Sequence, residues 1–268
     1  MDVLQSLDRF NKQFKGEKGI IGNTTLGKDI YFFKVEKTVS PVVICQYAIH
    51  AREYITTYLA LKQIKDFVRF GKKGSVYFIP AVNPDGIRIC LDGKRLYKAN
   101  ANMVDLNVNF DAGWSNGEKN VFVKGDENFV GAYPFSEKES FYLAQFTLKI
   151  KPDVTLSYHA KGEEIYWEFF QDDKRRKRDF ELAKSLSKST GYRLKTPKNS
   201  FGGYKDWCIQ KLKIPSFTIE VGRDSLSHPI TKRHLDRIYR KNKQVIKVIT
   251  ENYDSARKIY EESLNSSE

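Results

Sequence analysis

Cysteine is scarce in this 268-residue chain: there are three, Cys45, Cys90 and Cys208, and no C-x-x-C pair. An odd, unpatterned set of thiols excludes a disulfide framework, and a reducing compartment is the default. Cys45 and Cys90 sit in apolar segments and read as small core side chains. Long hydrophobic runs are missing as well. The longest, Pro41–Cys45 and Val76–Val82, fall far short of the ~18 residues that span a bilayer, so no transmembrane segment is expected. Residues 1–19 alternate charged and apolar side chains, with neither an apolar h-region nor a cleavage signature. That argues against a Sec signal peptide and for a cytoplasmic location, with action outside the cell or at a spore left open. Internal repeats, low-complexity linkers and breaks in composition are also absent, so the expectation is one domain over residues 1–268.

Acidic residues are outnumbered. The chain holds 46 Lys and Arg against 33 Asp and Glu, a net charge of +13. Such a surface attracts nucleic acid, acidic lipid or an acidic substrate, and its simplest reading is a lysine-rich solvated exterior. The one basic run, Lys174–Arg178, has no interleaved aromatics and reads as a solvated loop or helix start. Nucleic acid is therefore not an expected partner.

What is present is a soluble globular composition, 40% apolar and 29% charged. Val3, Leu4, Leu7, Phe10 and Phe14 predict a short amphipathic helix. Strands are expected around the turn Leu26–Asp29, at 42–48, 75–80, 154–158, 164–170 and 216–221. Between them, helices are expected at 51–70, from a Ser136–Glu139 cap to about 150, at 180–189, over a short 207–212 segment, and along 231–263. Asn83-Pro-Asp-Gly86 reads as a turn, and residues 87–133 as a long irregular stretch of the kind that usually serves function. Alternating strands and helices predict an α/β fold, a single domain with a mixed, mostly parallel sheet and helices on both faces.

In open α/β sheets, ligands collect at the carboxyl ends of the strands. Those ends offer His50 with Glu53 three residues on, then His159, then Glu220. Two imidazoles and one carboxylate make a catalytic Zn²⁺ set with a position left for water, and one ion is expected. The chain has four histidines; the remaining two, His228 and His234, read as surface residues.

With these residues in place, the sequence resembles the M14 zinc carboxypeptidases. The matching segments run in order: His50-Ala-Arg-Glu53, Asn83-Pro-Asp-Gly86, Asp105-Leu-Asn-Val-Asn-Phe110, Tyr133-Pro-Phe-Ser-Glu137, Ser157-Tyr-His159, Gly202-Gly-Tyr-Lys-Asp-Trp207 and Phe217-Thr-Ile-Glu-Val221. The resemblance implies His50, Glu53 and His159 as zinc ligands. It implies Glu220 as the general base that activates a water and then protonates the leaving amine.

The departures from the family pattern carry further expectations. The family's D-x-N-R-N segment reads Asp105-Leu-Asn-Val-Asn109 here. Asn107 stays as a substrate-binding residue, but Val108 stands where an arginine would grip the terminal carboxylate, so ordinary C-terminal trimming is disfavoured. The R-x-x-R stretch reads Arg95-Leu-Tyr-Lys98, which keeps Arg95 toward substrate and leaves Lys98 to stabilise the oxyanion as a point charge. No tyrosine stands near Lys198, where many relatives place a mobile one. Lys205 is expected at the base of the pocket for the residue after the scissile bond, ready to attract a side-chain carboxylate, with Asp206 as the neighbouring acid. Arg52 and Lys161 flank the site in sequence.

The N-V-N variant with Gly-Gly-Tyr-Lys-Asp-Trp is similar to the bacterial γ-D-glutamyl-L-diamino acid endopeptidase branch. That branch cuts peptidoglycan stem peptides between γ-D-Glu and meso-diaminopimelate, a residue with an extra carboxylate and amine. The implied partner is a murein stem peptide, with no separate wall-binding domain expected in this chain. Two alternatives stand beside it: a metallocarboxypeptidase for ordinary peptides with acidic C-termini, and a non-catalytic murein-peptide-binding protein.

Overall fold

Four short strands of β-branched and apolar residues build the centre of the molecule. They are β3 (Val42–Tyr47), β4 (Ser75–Ile79), β5 (Val154–His159) and β8 (Ser216–Glu220), all mutually parallel in the order β4-β3-β5-β8. The computed structural model describes residues 1–125, 127–196 and 198–265. At one edge β2 (Asp29–Glu36) pairs antiparallel with β4, and β1 (Lys18–Asn23) pairs antiparallel with β2. At the other, β6 (Glu164–Tyr166) pairs antiparallel with β8 and carries β7 (Arg193–Lys195) parallel to itself. The eight strands run β1-β2-β4-β3-β5-β8-β6-β7, so the sheet is mixed and parallel through its middle.

The period of two along each strand sends alternate side chains to opposite faces. Val43, Cys45 and Tyr47 of β3 join one core with α1 (Val3–Gln13), α2 (Ile55–Phe70), α5 (Asp173–Thr190), α7 (Leu235–Asn242) and α8 (Val245–Asn265). Ile44, between them, joins a second core with α4 (Lys138–Ile150) and α6 (Tyr204–Trp207) on the other face. Helices thus cover both faces, as the alternating pattern predicts. No helix of the described residues is long and apolar enough to cross a membrane.

Several local expectations change. Asn83-Pro-Asp-Gly86 opens a helix, α3 (Pro84–Leu91): Asn83 Oδ1 accepts the Gly86 N–H at 2.9 Å and Pro84 takes the first helical position. Ser136 does not cap α4, because its hydroxyl accepts from Asn109 Nδ2 and donates to Glu137 Oε1. The strand expected over 164–170 stops at Tyr166; beyond it the Phe169 N–H is taken by the Gln171 side chain in a turn. Helix α5 begins seven residues before the expected start at 180, because Asp172 caps it through the Arg175 N–H. The Lys174–Arg178 run is therefore the start of a helix, with Arg178 folded onto the buried Asp179. The C-terminal helix is two helices, and the buried Asn242 at the end of α7 donates to Tyr192.

Candidate active site

Glu53 lies in a separate 3-10 turn, Ala51–Glu53, ahead of α2. The turn is closed by the Glu53 N–H on the His50 carbonyl at 3.1 Å, which brings both side chains to one side of the chain. His159 ends β5, and the parallel register sets it directly opposite Glu220 at the end of β8. Four side chains thus come from the ends of two strands and the turn that follows a third.

Three of them converge. His50 Nδ1 lies 2.9 Å from Glu53 Oε1, and His159 Nδ1 lies 3.1 Å from Glu53 Oε2 and 3.2 Å from His50 Nδ1. All three residues are buried. Tetrahedral ligation at about 2.0–2.1 Å puts donor atoms about 3.3 Å apart, so the cluster matches one Zn²⁺ with little rearrangement. Two imidazole nitrogens facing each other beside a carboxylate are the donor set such an ion takes. The described residues hold one such cluster, and it is the zinc site of the chain.

Asp105 supports it from behind. Its Oδ1 accepts from His50 Nε2 at 3.0 Å and from the Asn107 N–H at 2.9 Å, and Lys98 Nζ sits 2.6 Å from Oδ2. A proton fixed on Nε2 leaves Nδ1 with its lone pair for the metal. His159 lacks this support: among the described residues its Nε2 is buried without a partner. Burial works against charge on Asp105, yet Lys98 and His50 hold its carboxyl far below the ordinary range. Burial likewise works against Lys98, and the Asp105 carboxylate overrides it and raises its pKa, so the ammonium stays charged. Glu220 is pushed the other way. Desolvation first, and then the charge of Glu53, raise its pKa well above that of a free glutamate. A dication placed between Glu53 and the histidines reverses that second influence.

Glu220 lines a cavity of about 690 Å³ with Lys98, Asn107, Tyr166, Lys205 and Asp206. Lys205 is buried at 6% exposure: its Nζ contacts Asp206 Oδ1, donates to the Glu168 carbonyl at 3.0 Å and lies 5.3 Å from the centre of the Phe169 ring. Asp206 Oδ2 accepts the Gly203 N–H. Burial raises the Asp206 pKa, with Lys205 opposing. Asn107 Oδ1 accepts the Tyr204 N–H at 3.2 Å. A second cavity of about 240 Å³ adjoins His50, Asp105 and Val108, and shares Lys98 and Asn107 with the first.

Not every expected residue arrives. Arg95 is exposed and lines neither cavity. Arg52 is paired with Glu127 at 2.7 Å and Lys161 with Asp224 at 2.9 Å. His228, expected at the surface, is half-buried with Nδ1 unpartnered among the described residues, near enough to the centre for Glu53 and His50 to act on it. It follows no strand and belongs to no short motif, so sequence spacing has nothing to mark it. Asp105 was quoted as part of a motif without a role; an acid two residues before Asn107 gives no sign of the histidine 55 positions upstream. His234, also expected at the surface, is likewise half-buried, beside Arg233.

Residues 3–255 match the peptidase M14, zinc carboxypeptidase, sequence family. The chain belongs to the M14 zinc carboxypeptidases. Among relatives it is 28% identical over 226 residues to γ-D-glutamyl-L-diamino acid endopeptidase 1 of Lysinibacillus sphaericus, covering 71% of this chain and 56% of that protein. It is 29% identical over 241 residues to carboxypeptidase B of Bos taurus, covering 76% of this chain and 57% of the other. The chain thus spans little more than half the length of either. Its fold is that of bovine thrombin-activatable fibrinolysis inhibitor, seen in complex with tick carboxypeptidase inhibitor: TM-score 0.84, 20% identity, covering 95% and 97% of the two chains. The metal triad that this family membership implies is His50, Glu53 and His159.

Proposed function

We propose that this protein hydrolyses peptidoglycan stem peptides at the bond between γ-D-Glu and meso-diaminopimelate. The observation that carries this reading is the Lys205–Asp206 pair, buried in the wall of the same cavity as Glu220. A buried ion pair costs desolvation that packing with apolar residues avoids. Here it presents an ammonium and a carboxylate side by side to a substrate side chain. The far end of diaminopimelate carries the complementary carboxylate and ammonium. The similarity to an endopeptidase named for γ-D-glutamyl-L-diamino acid bonds supports the same substrate.

Bound zinc supplies a Lewis acid for the scissile carbonyl and lowers the pKa of water toward about 7. Glu220, on the neighbouring strand end, takes the proton of the attacking water and returns it to the leaving amine. Lys98, kept charged by Asp105, stabilises the negative charge that develops on the carbonyl oxygen. Asn107, in both cavities, holds the substrate main chain. Arg95, outside both, takes no part.

Incubation with L-Ala-γ-D-Glu-meso-diaminopimelate, followed by mass spectrometry, tests the assignment; free diaminopimelate is the expected product. A second reading, trimming of ordinary peptides with acidic C-termini, is favoured by the lysines of the cavity wall and by the likeness to carboxypeptidase B. Release of acidic residues from unmodified peptides, with the murein peptide left intact, would establish it instead.

A further inference from the structure

The cations around the site fall into two groups. Lys98, Lys205, Arg52 and Lys161 each face a carboxylate of the protein, Asp105, Asp206, Glu127 and Asp224. Lys195 stands 3.7 Å from Glu164. Lys119 and Lys198 differ: among the described residues neither has an ion-pair partner, and both line both cavities. They come from separate parts of the irregular chain, and backbone bonds lace those parts together. The Gly202 carbonyl accepts the Phe110 N–H and the Gly202 N–H donates to the Ala112 carbonyl, both at 2.9 Å; the Glu118 N–H donates to the Asn199 carbonyl at 3.0 Å. Asn199 Nδ2 completes the lacing on Glu118 Oε2. Gly202 holds φ +81°, and a Cβ there would meet the Val108 carbonyl at 2.8 Å, so the two loops meet at a point only glycine fits. The smaller cavity between them also holds Asn120 Nδ2, a buried amide donor with no partner among the described residues.

We propose that Lys119 and Lys198 form a two-loop clamp for the free α-carboxylate of the residue released by cleavage, beside the apolar Val108. This rests on reading the cavities as a peptide site and deepens it: a stem peptide that ends at diaminopimelate is preferred over one extended or amidated there. Two ammoniums and an orphaned amide donor, in a wall whose other cations each have a protein carboxylate within 4 Å, offer their charge and hydrogen bonds to an incoming anion.

The test compares L-Ala-γ-D-Glu-meso-diaminopimelate with its α-carboxamide, using the zinc-loaded protein and the Lys119→Ala, Lys198→Ala and double variants. Lys149→Ala, on α4, controls for loss of general charge. The free acid should exceed the amide in kcat/KM by about tenfold, and each single variant should lose about threefold on the acid alone. The double variant should level the two substrates without slowing the amide. A preference that survives the double variant, or equal losses on acid and amide, overturns the clamp. If neither murein peptide is cleaved, the proposed substrate falls, and the clamp is read from calorimetric binding of N-acetyl dipeptides, as free acids and amides, to zinc-loaded Glu220→Gln. Tighter binding of the acids, lost in the added double variant, upholds it; equal affinity, or none, overturns it.

Discussion

Two parts of the site, a strand wall and a loop wall, are built differently. One carries His159 and Glu220 at the ends of hydrogen-bonded parallel strands and His50 and Glu53 in the turn just after a third, with the three metal ligands buried. The other carries Lys119 and Lys198, exposed, on irregular chain joined by a few backbone bonds. Groups that must meet within a few tenths of an ångström sit where strand register fixes them. Groups that choose among substrates sit on loops, where length and side chains vary at little cost to the sheet.

The largest break in this contrast comes from the strand wall. His159→Ala removes one of the three buried ligands. It should abolish stoichiometric zinc, measured by elemental analysis, and lower turnover on the order of a thousandfold or more. Glu220→Gln, on the adjacent strand, should separate binding from chemistry: zinc content stays at one per chain while kcat falls about 10²–10⁴-fold. Retained turnover would remove Glu220 from the reaction.

Lys205 sharpens the comparison, because the residue proposed for selectivity is itself buried. Lys205→Met alone leaves Asp206 charged and buried and should cost about 3–5 kcal/mol in denaturant unfolding, whereas Lys205→Met with Asp206→Leu should recover most of that loss. Equal stability of the single variant and wild type would mean the pair is already solvated. The smallest effect belongs to the support behind the metal. Asp105→Asn keeps an acceptor for His50 but loses its charge, so zinc affinity should drop about 10–100-fold, read by competition with a chelator. Unchanged affinity would mean that the imidazole is oriented by packing alone.

The strand wall was legible in the sequence because its signals are local. A β-branched run closed by His50, the three-residue step to Glu53, and His159 and Glu220 at the ends of two further runs mark strand ends without knowledge of the pairing. The parallel sheet with helices on both faces follows from the same alternation. The loop wall was not legible. The segments that carry Lys119 and Lys198 are joined by the hydrogen bonds of Glu118 with Asn199, 81 positions apart, and no periodicity reports such a contact. His228 is half-buried rather than at the surface, and its neighbours in sequence carry no mark of that. Helix α3 was hidden by Asn83-Pro-Asp-Gly86, whose residues favour a turn and a helix start equally. Arg95 was expected near substrate from its motif, but the chain between Leu91 and Lys98 turns it to solvent.

The most direct measurement is product analysis on L-Ala-γ-D-Glu-meso-diaminopimelate, with protein shown to hold one zinc per chain, before and after chelation and zinc restoration. Free diaminopimelate and L-Ala-D-Glu should appear with the metal, vanish on chelation and return when zinc is added back. An intact peptide in the presence of the fully loaded protein would contradict the assignment.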